Sequence, residues 1–256
     1  MKVNMNWKKI YTVNLKLGLS KMIKGIDYFR MIEYPLAFSQ LELREKNLIL
    51  DVGSSDSVFP IFLASLGHQV YAIDIDRKVL RLRDYAKKIG TSNLVVEIQD
   101  VTKLPYSDSF FDKITAISTL EHVLPVNDGD IKAIREIART LKSGGQAIIT
   151  VPYDKKIEVK WSRKKLGGYL SLIRKYNKIS IHERLVKPSD LHLVNWIFFG
   201  ESIRFSKIWY NSPFCIFAFS SPFFAKSFMS FGVNSNRSQG ICLSFRKYEA
   251  ETSRRN

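Results

Sequence analysis

The chain has 256 residues, 45% of them hydrophobic and 25% charged, with a net charge of +16, which is typical of a globular protein. Its two cysteines, Cys215 and Cys242, have neither CxxC nor metal-ligand spacing, so we expect a cytoplasmic protein without a metal site. The amino terminus lacks the apolar core of a secretory signal, and no apolar run reaches the ~18–20 residues that span a bilayer. We therefore expect neither a secretory leader nor a transmembrane segment.

The first 46 residues show helical patterning, and strand and helix patterns alternate from residue 47 onward. In chain order the predicted elements are the strand 48–52, the helix 57–66, the strand 69–75, the helix 77–89, the strands 94–98 and 111–118, the helix 130–141 and the strand 146–151. We expect Gly144, in the left-handed conformation, to close the helix 130–141. This alternation predicts an α/β domain whose mainly parallel sheet is covered by helices on both faces.

The pattern changes after Pro152. Residues 154–180 are basic with apolar positions at helical spacing, Ser189 is expected to cap a helix in SDLHLVNWIFF, and residues 202–210 and 240–248 have strand patterns. We therefore divide the chain into a helical lid (1–46), an α/β core (47–153), a basic cap-like insert with a helix (154–200) and carboxyl-terminal strands that complete the sheet (201–256).

Charge is distributed unevenly along the chain. Residues 48–153 contain 12 Lys/Arg and 13 Asp/Glu, whereas residues 154–256 contain 19 Lys/Arg and only 7 Asp/Glu. A basic surface attracts anions such as phosphorylated substrates, nucleic acid or acidic lipid headgroups. The alternative is that the basic residues form a solvated surface that binds no partner, since such a surface has the same composition.

The stretch DVGSSDSVFP, residues 51–60, joins the first strand to the first helix of the α/β core. In an open parallel sheet, ligands bind at this kind of turn, outside the carboxyl ends of the strands. Gly53 tolerates positive φ, and Ser54, Ser55 and Ser57 are small enough for a ligand to approach the backbone N–H groups. The turn is a candidate cofactor cradle, although an ordinary serine-rich turn has the same pattern.

Acidic residues end three adjacent strands of the predicted sheet. Asp74 lies 21 positions after Gly53, where it can bind two ribose hydroxyls, and Asp100 is within reach of an adenine amino group. Asp51 would repel a pyrophosphate but attract a cationic sulfonium, and Val58 stands where dinucleotide-binding loops have their third glycine. These residues favour S-adenosylmethionine over a nicotinamide dinucleotide.

The motifs resemble those of class I S-adenosylmethionine-dependent methyltransferases over residues 47–152. LILDVGSSDS is similar to the family's glycine loop, VYAIDID to its ribose-binding strand, VEIQDVTKLPYSDSFFDKITAISTLEHV to its adenine-binding run, and IREIARTLKSGGQAIITVP to the turn before its fifth strand. The resemblance implies a Rossmann-like sheet of seven mainly parallel strands with the last strand antiparallel. It also implies cofactor contacts from Asp51, Gly53, Ser54, Ser55, Asp74, Ile75, Asp100, Val101 and Ser118. Ser55 and Ser57 depart from the family, whose members commonly have glycine there.

Residues for catalysis and acceptor binding are expected outside this loop. His122, in the run TLEHV, lies near the sulfonium in the resembling fold and is the candidate general base for a hydroxyl acceptor. A histidine bonded to its own backbone is the alternative. Residues expected to contact the substrate or to form a lid are Tyr28, Arg30, Tyr34, His182 and Arg184.

Three functions are consistent with the sequence. The first is a methyltransferase acting at oxygen on an anionic small molecule or glycan. The second is an RNA methyltransferase or RNA-binding protein that uses the basic flanks, and the third is a non-catalytic protein that keeps the fold. No Asn-Pro-Pro-aromatic motif follows the fourth strand, which disfavours exocyclic-amine DNA methylation. The Phe-rich segment 213–231 can pack in the core or lie on a membrane surface, so peripheral membrane contact stays open.

Overall fold

The computed structural model describes residues 7–18, 28–166, 169–201, 229–231 and 238–248. Its strands are β1 (Leu48–Val52), β2 (Gln69–Asp74), β3 (Leu94–Ile98), β4 (Phe111–Ile117), β5 (Leu141–Pro152), β6 (Glu158–Leu166), β7 (Tyr169–Lys175), β8 (His192–Glu201), β9 (Met229–Phe231) and β10 (Gly240–Arg246). Its helices are α1 (Trp7–Lys16), α2 (Tyr28–Gln40), α3 (Phe59–Ser65), α4 (Arg81–Ile89), α5 (Gly129–Thr140) and α6 (Lys178–Ile181). Short 3-10 turns cover Arg77–Leu80 and Leu120–His122, and a π-helical turn covers His182–Val186.

The strands form one large sheet and one separate hairpin. The sheet order is β3-β2-β1-β4-β5-β10-β8-β9, with β1 to β5 parallel and β10 antiparallel to both of its neighbours. The direction of winding reverses between β1 and β4, the point at which doubly wound sheets bind ligands. The expected seven strands and antiparallel last strand are present, and the three-residue β9 extends the edge beyond β8.

Neighbouring residues of the central strands point into two separate cores, as a sheet covered on both faces requires. Ile49 belongs to the core formed with α1 to α4, whereas Leu50 belongs to the core formed with α5 and α6. The helix α5 buries Ala133, Ile134 and Ile137 on the stripe that faces the sheet. The predicted helices on both faces of the sheet are confirmed.

The segment after β5 differs from the prediction. The basic residues with helical spacing form the antiparallel hairpin β6–β7, and the helix expected after Ser189 is the strand β8. Leu172, Arg174 and Tyr176 are buried and lie two residues apart, which is the period of a strand. Ser189 Oγ donates to Val186 O and accepts from the Leu191 N–H, so it closes a turn and caps no helix.

Smaller differences concern element ends. The helix predicted at 57–66 begins two residues later, and the helix predicted at 77–89 begins with a 3-10 turn. Gly144 has the expected left-handed φ of +72°, but Leu141 is already extended and pairs with Phe111, so Gly144 lies in a turn within β5. The strand predicted at 202–210 and most of the Phe-rich segment lie outside the described residues. Within the described ranges, no helix is long and apolar enough to cross a membrane.

Candidate cofactor and acceptor site

A cleft of about 1190 Å³ lies at the carboxyl ends of the parallel strands, beside the point where the winding reverses. The parallel arrangement brings residues from distant parts of the sequence to this one edge of the sheet. Predicted residues that line the cleft are Arg30, Tyr34, Gly53, Ser55, Asp74, Ile75, Asp100, Val101, Ser118 and His122. The site is therefore assembled from the turn after β1, the ends of β2, β3 and β4, and the helix α2.

Gly53 follows β1 with a left-handed φ of +72°. Its N–H and that of Ser54 both donate to Ile73 O at 2.9 Å, so the turn uses these two donors internally. A Cβ on Gly53 would lie 2.2 Å from Thr119 Oγ1, because the tips of β1 and β4 touch here. Position 53 needs glycine for two reasons, which are its positive φ and the lack of room for a side chain beside Thr119. The expectation that the Ser54 N–H faces a ligand is not met.

Asp51 and Ser54 are buried and do not line the cleft. The Asp51 carboxylate accepts hydrogen bonds of 2.6 Å from both Ser54 Oγ and Thr115 Oγ1. Burial raises the pKa of Asp51 to about 6, and the two hydroxyl hydrogen bonds oppose that rise. The structure places both residues beneath the turn, which they support, and not against the ligand as expected.

Asp74 ends β2 with its carboxylate in the cleft wall. Oδ2 accepts the Ser55 N–H at 2.9 Å and Oδ1 accepts the Asp76 N–H at 2.8 Å. Each carboxylate oxygen can accept a second hydrogen bond, so Asp74 has the capacity to bind two further donors. The next residue, Ile75, is 71% exposed and offers an apolar surface beside the carboxylate. Burial raises the pKa of Asp74.

Two serines of the cleft wall adopt the left-handed conformation that L-residues rarely take. Ser55 has φ +45° and Ser118 has φ +44°. Strained backbone of this kind persists where the surroundings hold it, and it clusters at functional sites. Ser55 is held by its bond to Asp74, and the Ser118 N–H donates to Thr150 O at 3.0 Å. The loop therefore keeps, with serine, a backbone conformation that suits glycine.

The helix α2 contributes a polar network at the tip of β4. Glu33, which is 2% exposed, accepts hydrogen bonds from Ser118 Oγ at 2.5 Å and Thr150 Oγ1 at 2.9 Å. Arg30 donates to Glu33 at 2.5 Å and to Ser118 O at 3.4 Å. Burial raises the pKa of the neighbouring Tyr34. This network fixes the predicted lid helix against the sheet.

His122 lies in the 3-10 turn after β4. Its Nδ1 contacts Leu172 O on β7, so the ring bonds to another element of the fold. Its Nε2 lies 3.8 Å from Glu121 Oε1. Glu121 is 2% exposed, burial raises its pKa, and its Oε2 has no hydrogen-bond partner within the described part of the chain. Sequence reasoning missed Glu121, although it precedes His122 in the run TLEHV.

Two predicted substrate or lid residues, His182 and Arg184, lie away from this site. His182 lines a separate surface depression. Arg184 binds both oxygens of Asp130, at 2.5 and 2.8 Å, and does not line the cleft. The side chain of Tyr28 lies outside the described residues. His182 and Arg184 were expected near the acceptor because 154–200 was expected to fold as a cap over the strand tips.

The cleft wall has the chemistry that S-adenosylmethionine requires. Asp74 would hold the ribose through its two carboxylate oxygens, and Ile75 would pack against adenine. Asp100 and Val101 line the cleft at the end of β3, where the adenine amino group would lie. Ser118, beside the Arg30–Glu33 pair, would meet the methionyl part. The fit rests on this donor set and on the open apolar surface beside Asp74.

Comparisons with known proteins identify the domain that contains this cleft. Residues 50–149 match the family model described as a methyltransferase domain. A dihydrolipoyl dehydrogenase of Acholeplasma laidlawii is 32% identical over 119 residues, which cover 45% of this chain and 33% of that protein. A 27-O-demethylrifamycin SV methyltransferase of Amycolatopsis mediterranei is 34% identical over 109 residues, which cover 41% of this chain and 39% of that protein. This chain thus matches less than half the length of these two relatives.

Among solved structures, an S-adenosylmethionine-dependent methyltransferase of Methanosarcina mazei matches with a TM-score of 0.57 and 17% identity. The match covers 80% of this chain and 94% of that one, and it shows the shared fold. The matched domain, the strand order and the cleft point in the same direction. Residues 50–149 match a methyltransferase domain, and the fold around them is that of S-adenosylmethionine-dependent methyltransferases.

Proposed function

We propose that this chain methylates a hydroxyl oxygen of a small-molecule or glycan acceptor that carries a negative charge. The observation that carries the proposal is the continuity of the cleft, which runs from Asp74 and Ile75 past Ser118 to His122 and on to Tyr153. Cofactor and acceptor can therefore share one cleft. S-adenosylmethionine supplies an electrophilic methyl group when bound, and the chain's task is to position the acceptor oxygen and accept its proton.

His122 is the residue we assign to that proton. Because Nδ1 faces a carbonyl oxygen, that nitrogen carries the ring proton in the neutral form, which leaves Nε2 as the basic nitrogen. Glu121 Oε1, 3.8 Å from Nε2, would stabilise the imidazolium that forms when the acceptor hydroxyl gives up its proton. General-base assistance of this kind contributes ~10²–10⁴-fold to rate.

Oxygen as the acceptor atom and negative charge on the acceptor have separate support. The A. mediterranei relative is, by its name, a methyltransferase of 27-O-demethylrifamycin SV, and so a protein that acts at oxygen. The negative charge is inferred from the excess of 12 positive charges after residue 153. In the described cleft wall, Arg30 and Lys175 both pair with carboxylates. Other basic residues of the hairpin β6–β7 would therefore have to supply the contact to an anion.

The experiment that tests the function is transfer of a labelled methyl group from S-adenosylmethionine into a metabolite extract, followed by mass spectrometry of the labelled product. His122→Gln should lower the initial rate ~10²-fold or more and leave cofactor affinity unchanged. His192→Gln is the matched control, because His192 lies outside the cleft on β8. Equal rates in the two variants would remove His122 from the reaction.

RNA remains the second candidate acceptor because of the basic flanks. A single-stranded RNA would show a linear fall of log affinity with log salt, with a slope of about −0.7 for each phosphate contacted. A small anionic acceptor engages one or two charges and would show a shallow slope. Cofactor binding without label transfer to any acceptor would instead favour a non-catalytic protein.

A further inference from the structure

Arg174 is a buried charged side chain on β7. It is 2% exposed and is the largest of the fully buried side chains in the described ranges. Its Nη1 donates to Leu120 O at 3.3 Å, and its Nη2 donates to Val126 O at 2.6 Å. These carbonyl groups stand at the two ends of the loop 120–126, so one guanidinium spans the loop that follows β4.

Asp130, in the first turn of α5, supplies the negative charge that Arg174 needs. It is 0% exposed, and its Oδ2 lies 3.4 Å from Arg174 Nη1 and accepts the Tyr176 hydroxyl at 2.8 Å. Arg184 binds the same carboxylate through both oxygens. Buried charges are stable only when paired and hydrogen-bonded. Because two guanidinium groups share one carboxylate, Arg174 needs further acceptors, which are the two loop carbonyl groups and the Tyr176 hydroxyl oxygen at 3.5 Å.

The loop spanned by Arg174 carries Glu121 and His122, and β7 also contacts the histidine directly. Leu172 O, two residues before Arg174, contacts His122 Nδ1. The strand β7 thus holds the loop at three points, which are the carbonyl groups of Leu120 and Val126 and the His122 ring. A shift of β7 would change all three contacts together.

Arginine is suited to this position by its geometry. Its planar fork can donate to two carbonyl groups in different directions while facing a carboxylate, whereas lysine is a point charge on a flexible stem. Arg174→Lys should therefore keep a positive charge near Asp130 and lose the bridge across the loop.

We propose that Arg174 is a positioning residue that fixes the loop 120–126 against β7, and with it the His122 ring against Leu172. Its effect on rate rests on the proposed function, in which His122 accepts the proton. Its effect on the ring itself does not depend on any reaction. The two effects can therefore be measured separately.

The test compares Arg174→Lys with Arg139→Lys. Arg139 also bonds two carbonyl groups and two carboxylates, but it lies on α5 away from the cleft. Imidazole nitrogen NMR resolves the four histidines of the chain, and His122→Gln assigns the signal of His122. We expect one fixed tautomer, with the proton on Nδ1, in the wild type and in Arg139→Lys. Arg174→Lys should show a mixture of tautomers while binding S-adenosylmethionine within twofold of the wild type.

Where an acceptor is available, Arg174→Lys should lower kcat at least ~10-fold with little change in KM, since small misplacements of a reacting group have effects of this size. A His122 signal that is identical in the two lysine variants would overturn the proposal. An Arg174→Lys variant that loses both S-adenosylmethionine binding and the fixed His122 tautomer would also overturn it, because Arg174 would then stabilise the whole fold and not this loop in particular. If Arg174→Lys does not fold, Arg174→Met gives the same comparison, since Arg184 still neutralises Asp130.

Discussion

Replacing Asp74 by alanine should weaken S-adenosylmethionine binding by ~1.5–3 kcal/mol, the scale for hydrogen bonds to a charged group. Each carboxylate oxygen accepts one backbone N–H and can accept a second hydrogen bond. Two ribose hydroxyls would donate these second hydrogen bonds. The expected rise in Kd is ~10–150-fold, since each 1.4 kcal/mol corresponds to a factor of ten. Isothermal titration calorimetry measures it directly.

The same substitution also removes the acceptors of the Ser55 and Asp76 N–H groups, so a loss of stability has to be separated from a loss of binding. Asp112→Ala is the matched control. Asp112 accepts the Leu48 N–H at 2.7 Å and pairs with Lys142, at the start of β4, the end of the strand away from the cleft. The Asp112→Ala variant should lose stability and keep its affinity for S-adenosylmethionine. A folded Asp74→Ala variant that binds S-adenosylmethionine within twofold of the wild type would refute the ribose assignment.

The other predictions concern the turn, its buried acid and the basic hairpin. Ser55→Gly should keep cofactor affinity, because residue 55 has φ +45°, a conformation that glycine adopts readily. Ser55→Leu should fill the cleft and raise the Kd measured by calorimetry at least tenfold. Normal binding by the leucine variant would show that the turn does not approach the cofactor. Burial raises the pKa of Asp51 from 3.8 to about 6, so the folded state binds more protons than the unfolded state in that window, and stability falls as pH rises through it. Asp51→Asn should therefore gain up to ~3 kcal/mol relative to the wild type between about pH 4 and pH 7, as measured by urea unfolding; a difference that does not vary with pH contradicts this. Serine at five basic positions should raise the acceptor KM, by a factor that shrinks as salt shortens the Debye length below ~8–10 Å, and leave cofactor affinity unchanged. The five positions are Lys155, Lys156, Arg163, Lys164 and Lys165. Equal KM values in this variant and the wild type would show that these five residues form a solvated surface that does not contact the acceptor.

The α/β core could be predicted from sequence because its local and tertiary preferences agree. The strands β1 to β5 are apolar runs bounded by turn residues, and each was predicted near its observed position. The site residues Asp74 and Asp100 followed from the rule that parallel strands end at one edge of the sheet. Their convergence in one cleft needs only that rule, and not a knowledge of side-chain packing.

The hairpin β6–β7 could not be predicted, for an identifiable physical reason. Arg174 occupies a buried position on β7. An analysis of hydrophobic periodicity counts every arginine as an exposed polar residue, so it misplaces this one. The strand period is thereby hidden, and the remaining apolar residues fit helical spacing. Glu121 is a similar case, since nothing in its immediate sequence distinguishes a buried carboxyl group from a solvated one. The partners that make both positions tolerable lie far away along the chain.

The contact between Gly53 and Thr119 limits the order in which mutations can accumulate in this loop. Any side chain at position 53 would lie 2.2 Å from Thr119 Oγ1 and 2.8 Å from Thr119 Cβ, so residue 119 would first have to lose its side chain. Thr119 Oγ1 also donates to Val52 O at 3.0 Å. The prior substitution at residue 119 would therefore remove this hydrogen bond before position 53 could change. Ser55 and Ser57 face the cleft instead of a neighbouring strand tip, so their replacement requires no such prior change. The cleft-facing positions can therefore change one at a time, whereas a change at position 53 depends on a prior change at residue 119.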